Sequence, residues 1–283
     1  MNLRDALPAQ IGWQARLELG YTAPTAERTV LSHRRHTGPL VVQKAFYPEG
    51  PRVCHSTLVH PPGGIAGGDR LELQVAAEAD AHAVITTPGA AKWYRSTGAT
   101  AEQCCEMHVQ RDAMLEWLPQ PGIVFDGAQV RQSHRVRLGA NARYIGWDIL
   151  CLGRTARGER FATGVFRTRT EIAGEAGRLW SDCAVIRGGD SLLSAQAGLA
   201  GQPVTGLFLA GGVAIERDVI DRCREVAMPP ASRCGVTSLP AMLAARFVGE
   251  STEAAWHYFT ALWTVVRPAL MGRVACPPRI WQT

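Results

Sequence analysis

The 283-residue chain is 46% apolar and 19% charged, a balance that supports a sizeable packed core and excludes a disordered or low-complexity protein. Thirty Lys and Arg against 25 Asp and Glu leave a net charge of +5, which favours acidic partners, but the excess is dispersed and forms no dense basic tail for nucleic acid. No apolar window approaches the roughly 20 residues that a membrane-spanning helix requires.

From the N-terminus, "MNLRDALPAQIGWQ" lacks the apolar core of a signal peptide and carries Asp5 and Pro8, so a cytoplasmic chain is expected. The eight cysteines are scattered, without the density of a disulfide scaffold, and are expected as free thiols, most of them buried. Period-two alternation then dominates. In "GWQARLELG" Trp13, Ala15, Leu17 and Leu19 share a phase. His33 and His36 of "SHRRH" have helical spacing inside a segment that reads as strand or turn. "CHSTLVH" places Cys54, Ser56, Leu58 and His60 on one face, with Cys54 and His60 about 20 Å apart at ~3.3 Å per residue, too far to share an ion.

The loop "HPPGGIAGGDRL" follows. A Walker loop needs Lys and then Ser or Thr after its second glycine, whereas Gly68 precedes Asp69 and Arg70. A dinucleotide fingerprint needs a different glycine register and a following helix. "RLELQVA" instead alternates as a strand, with Leu71, Leu73 and Val75 in phase. The expectation is a rigid turn, with a partner contact as the alternative: Pro61 and Pro62 end the strand, the glycines permit positive φ, and Asp69 accepts backbone N–H groups across the turn.

Beyond it, Lys92, Trp93, Tyr94 and Arg95 in "AAKWYRS" read equally as an interface patch or as strand core with flanking charges. "CEMHV" aligns Cys105, Met107 and Val109, which sends Cys104 to the opposite face, and "QVRQSHRVRL" aligns Val130, His134, Val136 and Leu138. "GWDILCLGRTARGERF" gathers a Trp, an Asp, a Cys and several charges around a glycine-rich turn, the density expected of a conduit or contact surface.

Two helices are expected late in the chain. "AIERDVIDRCREVA" repeats Ile215, Val219, Cys223 and Val226. "STEAAWHYFTALWTVVRPAL" aligns Ala255, Phe259, Leu262 and Val266 behind a Ser251 or Thr252 cap and meets Pro268 near its end. The pattern gives a mainly β chain of roughly fourteen to eighteen strands in a single domain, since no helix-length segments alternate with the strands and no linker interrupts them. It holds no CxxC, HExxH or G-x-S-x-G motif. Asp126, Asp148, Glu159, Asp182 and Asp190 supply carboxylates that sequence alone cannot pair.

"HPPGGIAGGDRL", "TTPGAAKWYRS", "LEWLPQPGIVFDGA", "WDILCLGRTARGERF" and "PPRIWQT", in this order and spacing, resemble the UreD (UreH) family of urease accessory proteins from about residue 12 to the C-terminus. The segment from "GLAGQPVTGLFLAGG" through "MPPASRCGVTSLP" matches only loosely. The resemblance implies a β-helix-like stack of strands with two α-helices, and a scaffold rather than an enzyme. It further implies partnership with UreF, the GTPase UreG and apo-urease, and an internal water-filled route for nickel. No tightly bound cofactor is expected, only transient Ni(II). On that basis His60, Asp69, Asp126, Asp148, Cys151 and Glu159 are candidate conduit residues, and Lys92, Trp93, Tyr94, Arg95, Arg279 and Trp281 are candidate partner contacts. An enzyme with an unrecognised carboxylate or thiol site, and a purely structural binding module, stay open as rivals.

Overall fold

The computed structural model describes residues 12–282; most of the N-terminal stretch read above for a leader lies outside them. The chain starts with a hairpin, β1 (Gln14–Thr25) and β2 (Arg28–Thr37), and continues through β3 (Val41–Val42) into β4 (Val53–Val59). It then winds in coils: β5 (Arg70–Ala77), β6 (His82–Thr86) and β7 (Ala91–Trp93), followed by β8 (Ala101–Val109), β9 (Met114–Leu118) and β10 (Gly122–Val124). The winding ends with β11 (Gln129–Leu138), β12 (Arg143–Leu152), β13 (Val165–Gly174) and β14 (Gly177–Arg187). The last third holds α1 (Ser191–Ser194), β15 (Val204–Gly211), α2 (Arg217–Glu225), β16 (Ser232–Leu239), β17 (Met242–Gly249) and α3 (Thr252–Met271).

The coils lay their strands into two broad walls and a narrow third one. The first wall is the parallel run β1, β5, β8, β11, β13, closed by the antiparallel edge strands β2 and β14. The second is the parallel run β4, β6, β9, β12, extended by antiparallel β15, β17 and β16. A narrow third wall runs from Ile65 through β7 and β10 to the end of β12. The result is a β-solenoid of stacked coils, in agreement with the sequence expectation; the described residues contain seventeen strands.

Alternation explains the first wall. Leu17, Leu19, Leu71, Leu73, Val75, Cys105, Met107, Val109, Val130 and Val136 point into the lumen and are almost fully buried, while the outer face carries ladders such as Arg70–Glu102–Arg131. Exposed pairs of this kind add little stability but disfavour slipped registers. Trp13, in phase with this set by sequence, lies before the strand and is 58% exposed.

The strands β4, β6, β9 and β12 of the second wall are buried on both faces, which accounts for the nearly continuous apolar run of β12. Tyr144, Leu150 and Leu152 join the lumen core, whereas Ile145, Trp147, Ile149 and Cys151 join a second core beneath Phe259, Leu262, Trp263 and Val266 of α3. The Ser251 hydroxyl caps α3 by accepting from Ala254 N at 3.2 Å. The helix runs three residues past Pro268 and stops at Gly272, whose φ of +66° makes the left-handed cap.

Candidate functional site

The glycine loop forms a corner of the first coil. Asp69, 3% exposed, accepts from Ala66 N at 2.8 Å and from Trp13 N at 2.7 Å. Ile65 inserts into the third wall between backbone bonds to Lys92 O and from Tyr94 N. Gly64 is required by close approach, since a Cβ there would stand 2.3 Å from the Tyr94 ring, and Gly68 takes φ +93°. The turn expected from sequence is therefore built as argued, and both carboxylate oxygens of Asp69 are spent on backbone amides.

Next to this corner the lumen opens into a cavity of about 290 Å³. Its inner end is lined by Gln103 on β8, Trp117 on β9, Gln132 and His134 on β11, and Asp148 on β12. Its outer end is lined by His60 and Gly63, by the corner Thr87–Pro88–Gly89 and by Lys92. Gly63, Pro88 and Gly89 are exposed, so this is the mouth.

The cavity is unusual for a solenoid core because its polar groups are incompletely paired. Among the described residues, His60 Nε2, Trp117 Nε1, Gln132 Oε1 and His134 Nε2 are buried without a hydrogen-bond partner in the protein, and all four residues line this one cavity. Buried polar atoms are ordinarily satisfied, so four orphans around one space mark a volume shaped for something polar. Burial pushes Asp148 up to about 7, against the opposing hydrogen bond from Gln132 and that from the Ile149 backbone. Burial alone pulls His134 down to about 4. Burial likewise lowers His60, with the Asp69 carboxylate acting in the opposite direction. Near neutral pH the cavity thus offers neutral imidazoles and a carboxyl poised between its two forms, a donor set of the kind that binds borderline metal cations. Among the described residues no three His, Cys, Asp or Glu side chains converge as a closed metal site.

The remaining candidates fall elsewhere. Cys151 is on the opposite face of β12 from Asp148; its thiol donates to Gly153 O at 3.3 Å, and burial raises its pKa. Asp126 and Glu159 belong to a surface corner: Asp126 Oδ1 accepts from Ala162 N, Thr163 N and Thr163 Oγ1, and its Oδ2 pairs with Arg95 at 3.3 Å. Glu159 accepts from Asp126 N and pairs with Arg154 at 2.5 Å, and that guanidinium stacks 4.6 Å over Phe125. Tyr94 packs edge-on against the same Phe125. Of the other proposed contacts, Trp93 is 1% exposed in the lumen core, Lys92 lines the cavity and Arg279 is exposed. Trp281 is packed against Trp147, Trp256 and Trp263. The structure brings together His60, Lys92 and Asp148 in the cavity and Tyr94, Arg95, Asp126 and Glu159 on the surface.

His134 and Gln132 were not singled out as site residues from sequence. The available signal was a polar residue in the apolar phase of a strand, as His134 is between Val130 and Val136. Eight free cysteines are present: four buried, three partly buried and only Cys183 exposed. No helix among the described residues is long and apolar enough to cross a membrane.

A family model described as "UreD urease accessory protein" matches residues 14–282. Similar curated proteins include the urease accessory protein UreD of Methylobacillus flagellatus, 43% identical over 100% of this chain and 99% of that one. That of Azoarcus sp. is 45% identical over 100% and 98%, and that of Pseudomonas aeruginosa is 48% identical over 96% and 95%.

Proposed function

The chain belongs to the UreD family of urease accessory proteins, and from that premise we propose that it is a non-enzymatic urease maturation factor whose lumen passes nickel towards apo-urease. In this reading the chain acts as a scaffold with UreF and the GTPase UreG, in the cytoplasm. It holds nickel only in transit. The observation that carries the passage is the cavity with its orphaned polar atoms: Asp148, His134 and Gln132 face one space and present a carboxylate, an imidazole nitrogen and an amide oxygen. Two strong donors and an amide make a weak site, which suits release, because a closed set of three or four would retain the ion. His60 and Lys92 flank the mouth, where an imidazole and an ammonium bias which hydrated ions enter. The surface corner of Arg95, Asp126, Arg154 and Glu159 serves partner docking, since its carboxylates are already committed to guanidinium and backbone groups.

The test is urease activation in cells that carry a urease operon, with this chain deleted and then restored at fixed nickel. Activity and urease-bound nickel are expected to fall together on deletion and to return together. Restoration by Asp148→Ala/His134→Ala is expected to give well under a tenth of the wild-type activation rate while complex assembly, followed by co-purification, persists. Full activation by that double variant would refute the passage and leave the scaffold.

A further inference from the structure

The wall of the cavity mouth is contacted from outside by the C-terminal tail. Two coil corners, residues 86–91 after β6 and 118–122 after β9, stack on each other. Gln120 N donates to Thr87 Oγ1 at 2.9 Å, and Ala91 N donates to Pro121 O at 3.1 Å. On their inner side Thr87, Pro88, Pro119 and Gln120 line the cavity. On the outer side Thr86 Oγ1 donates to Leu118 O at 2.6 Å and accepts from Trp281 Nε1 at 2.8 Å. Trp147 Nε1 donates to Pro119 O at 3.0 Å, and its ring lies 5.8 Å from that of Trp281. Trp281 also meets Trp256 at 4.7 Å and Trp263 at 5.8 Å, ring centre to ring centre. The tail between α3 and this indole is weakly buried: Val274 is 76% exposed, although Arg267 holds its carbonyl.

We infer that Trp281 is a positioning residue for the cavity mouth: docked, it clamps the 86–91 and 118–122 corners closed, and undocked, it lets them part. The physical link is short. One hydrogen bond joins Trp281 to Thr86, the next residue lines the cavity, and the second route runs through Trp147 to Pro119. Thr86 ends the β6 ladder opposite Leu118, and the two routes arrive just beyond it, at Thr87 and Pro119, in turn segments of the kind that open locally at low cost. The indole, carried on one short 3-10 turn (Arg279–Gln282), sits in the aromatic cradle through ring packing and a single side-chain N–H bond. A partner that draws the tail away thereby opens the passage, which couples docking to entry. The functional consequence rests on the passage proposed above; the opening itself does not.

The test uses the full chain with a thiol reporter inside the cavity, Gln132→Cys, and peptide-resolved alkylation rates under native conditions. With Trp281 intact, labelling at position 132 is expected to be slow. Adding Trp281→Ala is expected to accelerate it about tenfold or more, while labelling of the native buried Cys54 and Cys223 stays unchanged. Trp281→Phe keeps ring contacts but loses the bond to Thr86, so an acceleration of about threefold is expected; it also serves if the alanine variant fails to fold. Fast labelling at 132 with Trp281 intact, no acceleration by either variant, or equal acceleration at Cys54 and Cys223 would each overturn the inference. Urease activation by Asp148→Ala/His134→Ala in the chain without the Gln132→Cys reporter separates the two readings. Acceleration of labelling together with full activation by Asp148→Ala/His134→Ala would leave the clamp standing and remove the passage.

Discussion

Asp148 stands in the lumen-facing phase of β12, where its neighbours in phase are Gly146 and Leu150. A carboxyl raised to about 7 favours the folded state most when it is neutral. That contribution is complete below the unfolded value near 4 and is lost as pH rises to about 7. Asp148→Asn is therefore expected to stabilise the chain at pH 8 by on the order of 2–4 kcal/mol and to change little at pH 4, read by urea unfolding at both. His134 has the opposite sign. Held neutral, with its pKa lowered to about 4, it contributes stability above about 6.5 that is lost as pH falls towards 4, so His134→Gln is expected to flatten the acid limb of the curve. A residue that costs stability in its working state is expected where function has set the choice. The strand phase of each residue was legible in the sequence. Their meeting was not, because it depends on how β11 and β12 of one coil face each other across the lumen.

At the scale of elements, α3 is fastened to the second wall by a buried ion network. Arg267, fully buried, pairs with Glu116 at 3.0 Å and with Glu49 at 2.7 Å; His82 and Trp263 complete Glu116, and His55 completes Glu49. Burial raises the cost of ionising Glu49, but hydrogen bonds from His55 and Arg267 hold it down to about 2. Replacing Arg267 with Met leaves two buried carboxylates without the guanidinium they share and is expected to cost about 3–5 kcal/mol. Arg267→Met/Glu116→Gln is expected to recover part of that loss, since one unpaired charge is removed; denaturant midpoints at constant m-value decide it. The helix itself was readable from its 3.6-residue pattern and its Ser251 cap. The network was not, since Glu116 and Arg267 are 151 residues apart and a charged residue inside an apolar stripe gives no sign of its distant partner.

For the molecule as a whole, the second wall is common to both hydrophobic cores, with the lumen on one side and α2 and α3 on the other. Loss of either core would strip one face of the sheet that they share. Thermal unfolding is accordingly expected to show one transition by tryptophan fluorescence and by far-ultraviolet circular dichroism alike, and Arg267→Met is expected to lower that transition without splitting it. Two separate transitions would mean that the helical layer melts independently of the coils. Parallel pairing over most of both walls also places most ladder partners a full coil apart in sequence. Refolding in milliseconds to seconds is expected, with stopped-flow fluorescence as the measurement.

The tail seat has an optical consequence. Four indoles, those of Trp147, Trp256, Trp263 and Trp281, lie ring against ring, with Trp256 and Trp281 inclined at 78°. Chromophores that close couple their transitions, and the three pairs that include Trp281 would be lost if that indole swung away, whereas the Trp147–Trp256 pair, 5.3 Å apart, would stay. Release of the tail as inferred above is therefore expected to change, without any label, the near-ultraviolet dichroic band of this cluster, and Trp281→Ala gives the reference spectrum for the released form.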